Sequence, residues 1–396
     1  MASKGIFVIG AKRTPFCNYG GPLREMPACY AFAAAAKDAI QSASVDPTLV
    51  DQTVVGNTYY LSQCDGGKTP RYCGVYSGVP LEKPALGVSK SCGTGLQAII
   101  SGAVDILFGT SNIILTGGTE IMSSLPMLVR NVRFGTSLGT PYVMEDHIQR
   151  GLVDSYTGLS LPKIAEEVAK KYQIKREDVD EFALNSLRKW KTAQESKIFN
   201  DEITSLTVSL RKKEVDVIKD QLQHANVDAD HLRQLPSLLE DGTVVTSRNS
   251  SVAADGAAAL VLASQEAIVS QNLKPLARVA GWSCVGVDPL DTGVAAVAAI
   301  KKLLSDQRIE LKDVDLFEIN ETFASQVLAA SRELNIDLSK VNVNGGALAL
   351  GHPVAATGAR MATSLVYEMR RRNANLAIAA SSCGGGQGVA ILLQKV

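Results

Sequence analysis

Ser91-Cys92-Gly93-Thr94-Gly95 opens a stretch that carries no charge until Asp105, and an apolar strand over 112–115 follows, running into Gly117-Gly118. A turn of small residues, an uncharged helix and a short strand, in that order, place a thiol where a buried helix begins. The first N–H groups of a helix and its dipole favour an anion, so the position predicts a Cys92 pKa lowered towards neutrality. Alone, a cysteine among small residues reads better as a packed apolar side chain than as a catalyst. The order of elements around it decides more, because it occurs twice.

In the first stretch a strand over 6–11 leads to a helix near 28–44, a strand over 52–56, the Cys92 turn, the apolar helix to Phe108 and the strand ending in Gly117-Gly118. In the second, a strand over 277–281 leads to a helix near 294–304 and a strand over 316–319. A glycine-rich turn over 344–353, an apolar helix to Met369 and a strand over 376–380 ending in Gly384-Gly385-Gly386 complete it. Strands alternating with helices of this length predict two similar α/β halves with largely parallel, buried sheets. Packed about a pseudo-dyad, the halves bring Cys92 and His352 together. Between them, residues 121–249 hold most of the long charged stretches and read as an insertion that folds over the site. The expected domains are residues 1–120, completed by about 250–272, the insertion, and residues 273–396.

Lysine plus arginine equals aspartate plus glutamate at 40 each in 396 residues, so no net field attracts nucleic acid or an anionic membrane. The longest apolar runs fall short of the roughly 20 residues of a membrane span, so no stable membrane insertion is expected. Seven scattered cysteines without paired spacing fit a reducing compartment.

Of four histidines, only His352, in Gly351-His352-Pro353, sits in a glycine-rich apolar setting. Opposite Cys92 it could take the thiol proton and leave a thiolate–imidazolium pair; otherwise it is a structural histidine bonded across a turn. No second histidine or CxxC lies near enough to suggest a metal set. Asn320 and Glu321 fall at the carboxyl end of a strand, where α/β sheets bind ligands, although an asparagine there also caps helices well. Ser382-Cys383-Gly384-Gly385-Gly386-Gln387-Gly388 is either a tight turn or a backbone that approaches a ligand closely enough to form an oxyanion hole.

Together, these segments resemble the thiolase family over the whole chain. Lys12-Arg13-Thr14-Pro15-Phe16, Gly117-Gly118-Thr119-Glu120-Ile121-Met122-Ser123, Asn342-Val343-Asn344-Gly345-Gly346-Ala347 and Gly351-His352-Pro353 look like its signatures, and residues 129–135 point to its mitochondrial 3-ketoacyl-CoA branch. The resemblance implies a layered αβαβα fold with an inserted loop domain, a homodimer or homotetramer, and a mitochondrial matrix address, with the cytosol as the alternative. It implies acyl transfer between acyl-CoA and CoA with no cofactor beyond coenzyme A as co-substrate. Cys92 would be the nucleophile and His352 its base. His352 and a water on Asn320 would hold one oxyanion, the N–H groups of Cys92 and Gly385 the other, and a second cysteine would move the remaining proton. Ser251, His224 and Val227 would contact coenzyme A.

Several positions depart from the pattern. Ser382 stands where the second cysteine belongs and Cys383 follows one step later, a step that reverses a strand side chain's face. Arg248 replaces a glycine, His224 an arginine, and Ala355 a glycine whose loss is expected to narrow the acyl channel. A degenerate thioesterase and a non-catalytic CoA-ligand binding or scaffold protein are the rivals to a thiolase.

Overall fold

The computed structural model describes residues 5–63, 65–223 and 227–396. In chain order, β1 (Ile6–Arg13), β2 (Cys17–Asn18), α1 (Ala28–Ser42), β3 (Gln52–Gly56), α2 (Thr69–Tyr76), β4 (Ala85–Val88), α3 (Thr94–Phe108) and β5 (Ile113–Ile121) come first. The next stretch holds β6 (Met127–Val129), β7 (Met144–Asp146), α4 (His147–Gly151), α5 (Leu161–Lys171), α6 (Arg176–Glu195), β8 (Leu206–Leu210), β9 (Lys213–Val217) and α7 (Ala229–Gln234). Then follow β10 (Ala254–Ser264), α8 (Gln265–Ser270), β11 (Ala277–Gly286), α9 (Ala295–Gln307), β12 (Leu316–Ile319), α10 (Ala324–Leu334), α11 (Ala347–Leu350), α12 (Val354–Arg372), β13 (Leu376–Cys383) and β14 (Gln387–Gln394).

The main sheet runs β12-β13-β14-β11-β1-β10-β5-β3-β4, and β2 pairs with β10. It consists of two half-sheets joined by the antiparallel contact of β1 with β11, through Phe7 with Arg278 and Val8 with Ala277. The order β1-β10-β5-β3 repeats as β11-β14-β13-β12, which is the internal repeat expected from sequence. The pairing is not largely parallel, however. Among the described strands of this sheet, only β3 with β4, β3 with β5, and β12 with β13 are parallel. The returning strands β10 and β14 run against their neighbours, a connection that the alternation of strands and helices cannot reveal. Residues 122–253 add no described strand to this sheet; β6 pairs with β7 and β8 with β9 in separate hairpins.

Three apolar clusters fill the space between layers. The middle one joins α3 and α12 to inward-facing residues of both half-sheets, including Leu96, Ile99, Leu262, Leu365, Ala379 and Ile391. A second packs α1 on the outer face of the first half-sheet, and a third packs α9 and α10 on the outer face of the second. The result is helix, sheet, helix pair, sheet, helix. With the turn before it, α3 is apolar enough over 18 residues to pass for a membrane span, yet it lies in this middle layer.

Small residues let the middle layer close. A Cβ on Gly118, in β5, would come within 1.9 Å of the Ala355 carbonyl oxygen on α12, and one on Gly95 would come within 2.5 Å of the Ala359 nitrogen. Side chains at these positions would push the central helices off the sheet and off each other. This close approach sets the start of α3, just after Cys92, against the start of α12, just after His352.

Candidate active site

The Cys92 turn is held from both sides. The Lys90 N–H donates to Thr94 Oγ1 at 2.8 Å, and that hydroxyl donates to the Ser91 carbonyl at 2.6 Å. Ser91 lies at φ +45°, a left-handed conformation that turns the chain into α3. Cys92 itself is 8% exposed, and the Thr322 hydroxyl, the Gly384 N–H and its own N–H favour its thiolate. Burial nevertheless outweighs these donors and pushes its pKa up to about 11. This corrects the expectation of a thiol near neutrality, because the helix start sits in a desolvated layer.

His352 is buried at the start of α12, its N–H bonded to the Val252 carbonyl at 2.8 Å. Its Nδ1 is 2.7 Å from Thr357 Oγ1, and the Thr357 hydroxyl donates to the Pro353 carbonyl at 3.0 Å. With that proton on the Pro353 carbonyl, the Thr357 oxygen accepts from Nδ1–H, and the lone pair of Nε2 faces the Asn320 amide. Burial, and then Arg360, lower the imidazole pKa to about 4. The resting pair is therefore neutral thiol and neutral imidazole rather than thiolate and imidazolium.

Asn320 lies just beyond β12. Its Nδ2 reaches Thr322 Oγ1 at 3.0 Å and His352 Nε2 at 3.4 Å, while its buried Oδ1 has no partner. It does not cap α10, whose N-cap is Phe323. Glu321 points elsewhere: its carboxylate accepts from Ser186 Oγ, Asn342 Nδ2 and the Leu348 N–H, tying α6 to the second half.

At the end of β13 the two neighbours diverge. Ser382 Oγ accepts from the Ala296 N–H at 3.0 Å and donates to the Gly293 carbonyl at 3.3 Å, so it is engaged at the start of α9. Cys383 is fully buried in the middle layer beneath the Cys92 turn, where a Cβ on Gly93 would meet its sulfur at 2.5 Å. Burial, and next the Cys92 charge, push the Cys383 thiol far up. Gly385 is an exposed turn residue at φ +81°, and the glycine N–H that favours the Cys92 thiolate is that of Gly384. The Gly385 N–H, expected to donate to an oxyanion, sits in that exposed turn, one residue after Gly384.

Glu120, Thr322 and Thr357 belong to the site without being expected there; Glu120 lies within the 117–123 segment and Thr322 two residues after Asn320. The buried Glu120 carboxylate accepts from Asn57 Nδ2 at 2.8 Å and from the N–H groups of Thr58, Tyr59 and Ala355 at 3.1–3.2 Å. It clamps the start of α12 to the loop after β3, and burial raises its pKa to about 7. Its signal was a carboxylate inside a strand that carries no other charge. Ala355, expected to narrow the acyl channel, has no exposed surface and packs between the halves against Gly118 and Gly95.

Of the expected coenzyme A positions, Ser251 is half-buried and its N–H bonds the carbonyl of Thr322, two residues after Asn320, at 2.9 Å. Val227 lines a cleft with Leu184, Gln223, Leu232, Arg248 and Leu348. His224 lies outside the described residues. Among the described residues no group of three His, Cys, Asp or Glu side chains could hold a metal.

The family model for Thiolase, N-terminal domain matches residues 6–266, and that for Thiolase, C-terminal domain matches residues 273–395. The chain belongs to the thiolase family. Mitochondrial 3-ketoacyl-CoA thiolase of Homo sapiens is 41% identical over 392 residues, covering 99% of this chain and 98% of that protein. A probable acetyl-CoA acyltransferase of Staphylococcus aureus is 37% identical, covering 98% and 99%. A crystal structure of the human mitochondrial enzyme, at 41% identity, superposes with a TM-score of 0.97 over all of both chains. The same enzyme in complex with CoA gives 0.95 over 99% and 98%. This thiolase is accordingly an acyltransferase whose site uses CoA.

Proposed function

We propose that this thiolase cleaves a 3-oxoacyl-CoA with CoA, giving acetyl-CoA and an acyl-CoA two carbons shorter, and runs the reverse condensation on the same site. The observation that carries this reading is the packing of the Cys92 turn against the start of α12, which sets the thiol beside the network in which His352 Nε2 faces Asn320 and Nδ1 faces Thr357.

Because thiol and imidazole both rest neutral, the first step is proton transfer from Cys92 Sγ to His352 Nε2 as the substrate binds. The sulfur attacks the 3-keto carbon, the C2–C3 bond breaks, and its electron pair leaves as the acetyl-CoA enolate. Cys383 gives C2 its proton; we assign it this role over Ser382, whose hydroxyl is engaged at α9. A thiol held far above its ordinary pKa leaves a strongly basic thiolate, suited to taking the next proton from CoA. The CoA sulfur then attacks the acyl carbonyl, and Cys92 departs and recovers its proton from His352. The N–H groups of Cys92 and Gly384 suit one oxyanion. Asn320 Oδ1, a buried acceptor with no partner, suits a water bridging to the other.

We further propose that residues 121–249 recognise coenzyme A through the cleft at Val227, with Arg248 supplying the cation that His224 lacks. The mitochondrial relatives support a matrix address, and the bacterial one supports the cytosol as the alternative. Exposed Phe134, Leu138, Tyr142 and Met144 support assembly as a homo-oligomer.

The test is thiolysis of acetoacetyl-CoA and of a longer 3-oxoacyl-CoA by wild type, Cys92→Ala and Cys383→Ser. The expected result is loss of thiolysis in both variants, with Cys92 still acylated in Cys383→Ser. Full activity in Cys92→Ala would overturn the mechanism, and hydrolysis of acyl-CoA without thiolysis in wild type would establish a thioesterase.

A further inference from the structure

The helices that begin beside Cys92 and His352 have no side-chain cap of their own: Gly93 and Pro353 hold the N-cap positions of α3 and α12, and neither carries a side-chain acceptor. A carboxylate on β5 serves both starts. Glu120 Oε2 accepts from the N–H of Ala355, the second residue of α12, at 3.2 Å and from the Thr58 N–H at 3.1 Å. Its Oε1 accepts from Asn57 Nδ2 at 2.8 Å and from the Tyr59 N–H at 3.1 Å, and the Asn57 amide also donates to the Thr119 carbonyl at 3.0 Å. Four donors thus fix both oxygens of a buried carboxylate, and they tie residues 57–59 to the start of α12 as one body.

The side chain of Thr58 carries this link on to the nucleophile. Thr94 Oγ1 accepts from the Lys90 N–H at 2.8 Å and gives its single proton to the Ser91 carbonyl at 2.6 Å. Its further neighbour, Thr58 Oγ1 at 3.0 Å, must therefore be the donor of the bond between the two hydroxyls. The chain can come this close because residue 56 is glycine: a Cβ there would lie 2.4 Å from Thr94 Cγ2. The turn over residues 90–94, with Cys92 inside it, is in this way held by the same carboxylate as the helix that follows His352.

We propose that Thr58 is a positioning residue for the Cys92–His352 pair, its hydroxyl setting the nucleophile turn in register with the helix start that Glu120 holds. The proposal rests on the reading above, in which Cys92 passes its proton to His352 and attacks the substrate. The two residues lie in different halves, so their relative setting depends on bonds that cross between the halves. A displacement of about 1 Å at such a pair costs roughly 10²-fold in rate, which makes a bond far too weak to hold the fold able to govern the chemistry.

The test is steady-state thiolysis of acetoacetyl-CoA by wild type, Thr58→Val, Thr58→Ala and Thr58→Ser, with a thermal melt of each to show that the fold persists. Valine keeps the shape of threonine and removes the donor, alanine removes the donor without filling its space, and serine keeps the donor. Thr58→Val and Thr58→Ala should each lower kcat roughly tenfold, with KM for either substrate changed by less than about twofold, and Thr58→Ser should recover most of kcat. Wild-type kcat in either donor-free variant would overturn the proposal. So would a Thr58→Ser variant as slow as Thr58→Val, which would show that the hydroxyl is not what matters. A raised KM with kcat intact would also overturn it, by making Thr58 a substrate contact. If Cys92→Ala keeps full thiolysis, the reading of the reaction fails and takes the proposal with it; if Cys92→Ala is inactive and Thr58→Val turns over normally, only the positioning role fails.

Discussion

The two halves of this thiolase differ most where the strand after the central helix ends. In the second half, β13 turns through Gly384, Gly385 and Gly386 straight into β14; in the first, residues 122–253 intervene before β10 takes the corresponding place beside β5. The short connection supplies the glycine N–H that favours the Cys92 thiolate, and the long one supplies the Val227 cleft. One fold unit, used twice, has thus divided its labour. On the proposed mechanism the first half contributes the nucleophile, and the second contributes the base and the amide beside it.

If that division is right, the largest effects lie at the two helix starts. Cys92→Ala should lower thiolysis by at least about 10³-fold, and His352→Ala by roughly 10²–10⁴-fold, without loss of fold. Steady-state kinetics together with a thermal melt check both, and an active His352→Ala would remove the second half from the chemistry. Next comes the clamp between halves. Glu120→Ala leaves the N–H groups of Thr58, Tyr59 and Ala355 without their acceptor, which should cost about 3 kcal/mol in urea unfolding. An unchanged midpoint would mean that the halves do not depend on it. Gly118→Ala forces a methyl towards the Ala355 carbonyl and should cost roughly 2 kcal/mol, with kcat falling as His352 shifts.

A pH experiment sharpens the same contrast. With Cys92 raised to about 11 and reacting as thiolate, its alkylation rate should climb about tenfold per pH unit from 7 to 10, because the thiolate fraction grows throughout that window. A plateau at neutral pH would restore the thiolate–imidazolium pair. On the acid side, an imidazole lowered to about 4 stays a competent base, so kcat/KM should not fall between pH 8 and 6 through His352. The smallest effect belongs to the insertion: Arg248→Ala should raise KM for CoA roughly three- to tenfold and leave kcat nearly unchanged.

The sequence made the repeat legible because strands and helices announce themselves by apolar period and by the glycines between them. Cys92, His352 and Asn320 could be picked out because each falls where a turn or a strand end exposes polar atoms to a ligand. Glu120 and Thr322 could not, since a carboxylate in a strand and a threonine in a loop acquire meaning only from partners far away in the chain. Asn57 and Ala355 supply those partners for one; Ser251 supplies one for the other.

Ser382 and Cys383 show the same boundary at one step's resolution. Strand alternation says that the two face opposite ways, but only the packing of α9 against one side and of the Cys92 turn against the other says which faces which. The charge states were beyond sequence for a related reason. A helix start by itself favours an anion, whereas burial between two half-sheets disfavours any charge, and the depth of that burial is set by how closely glycines let the central helices approach. Local order of elements, and hence the family, is written along the chain; the protonation of its catalytic pair is a property of the assembled middle layer.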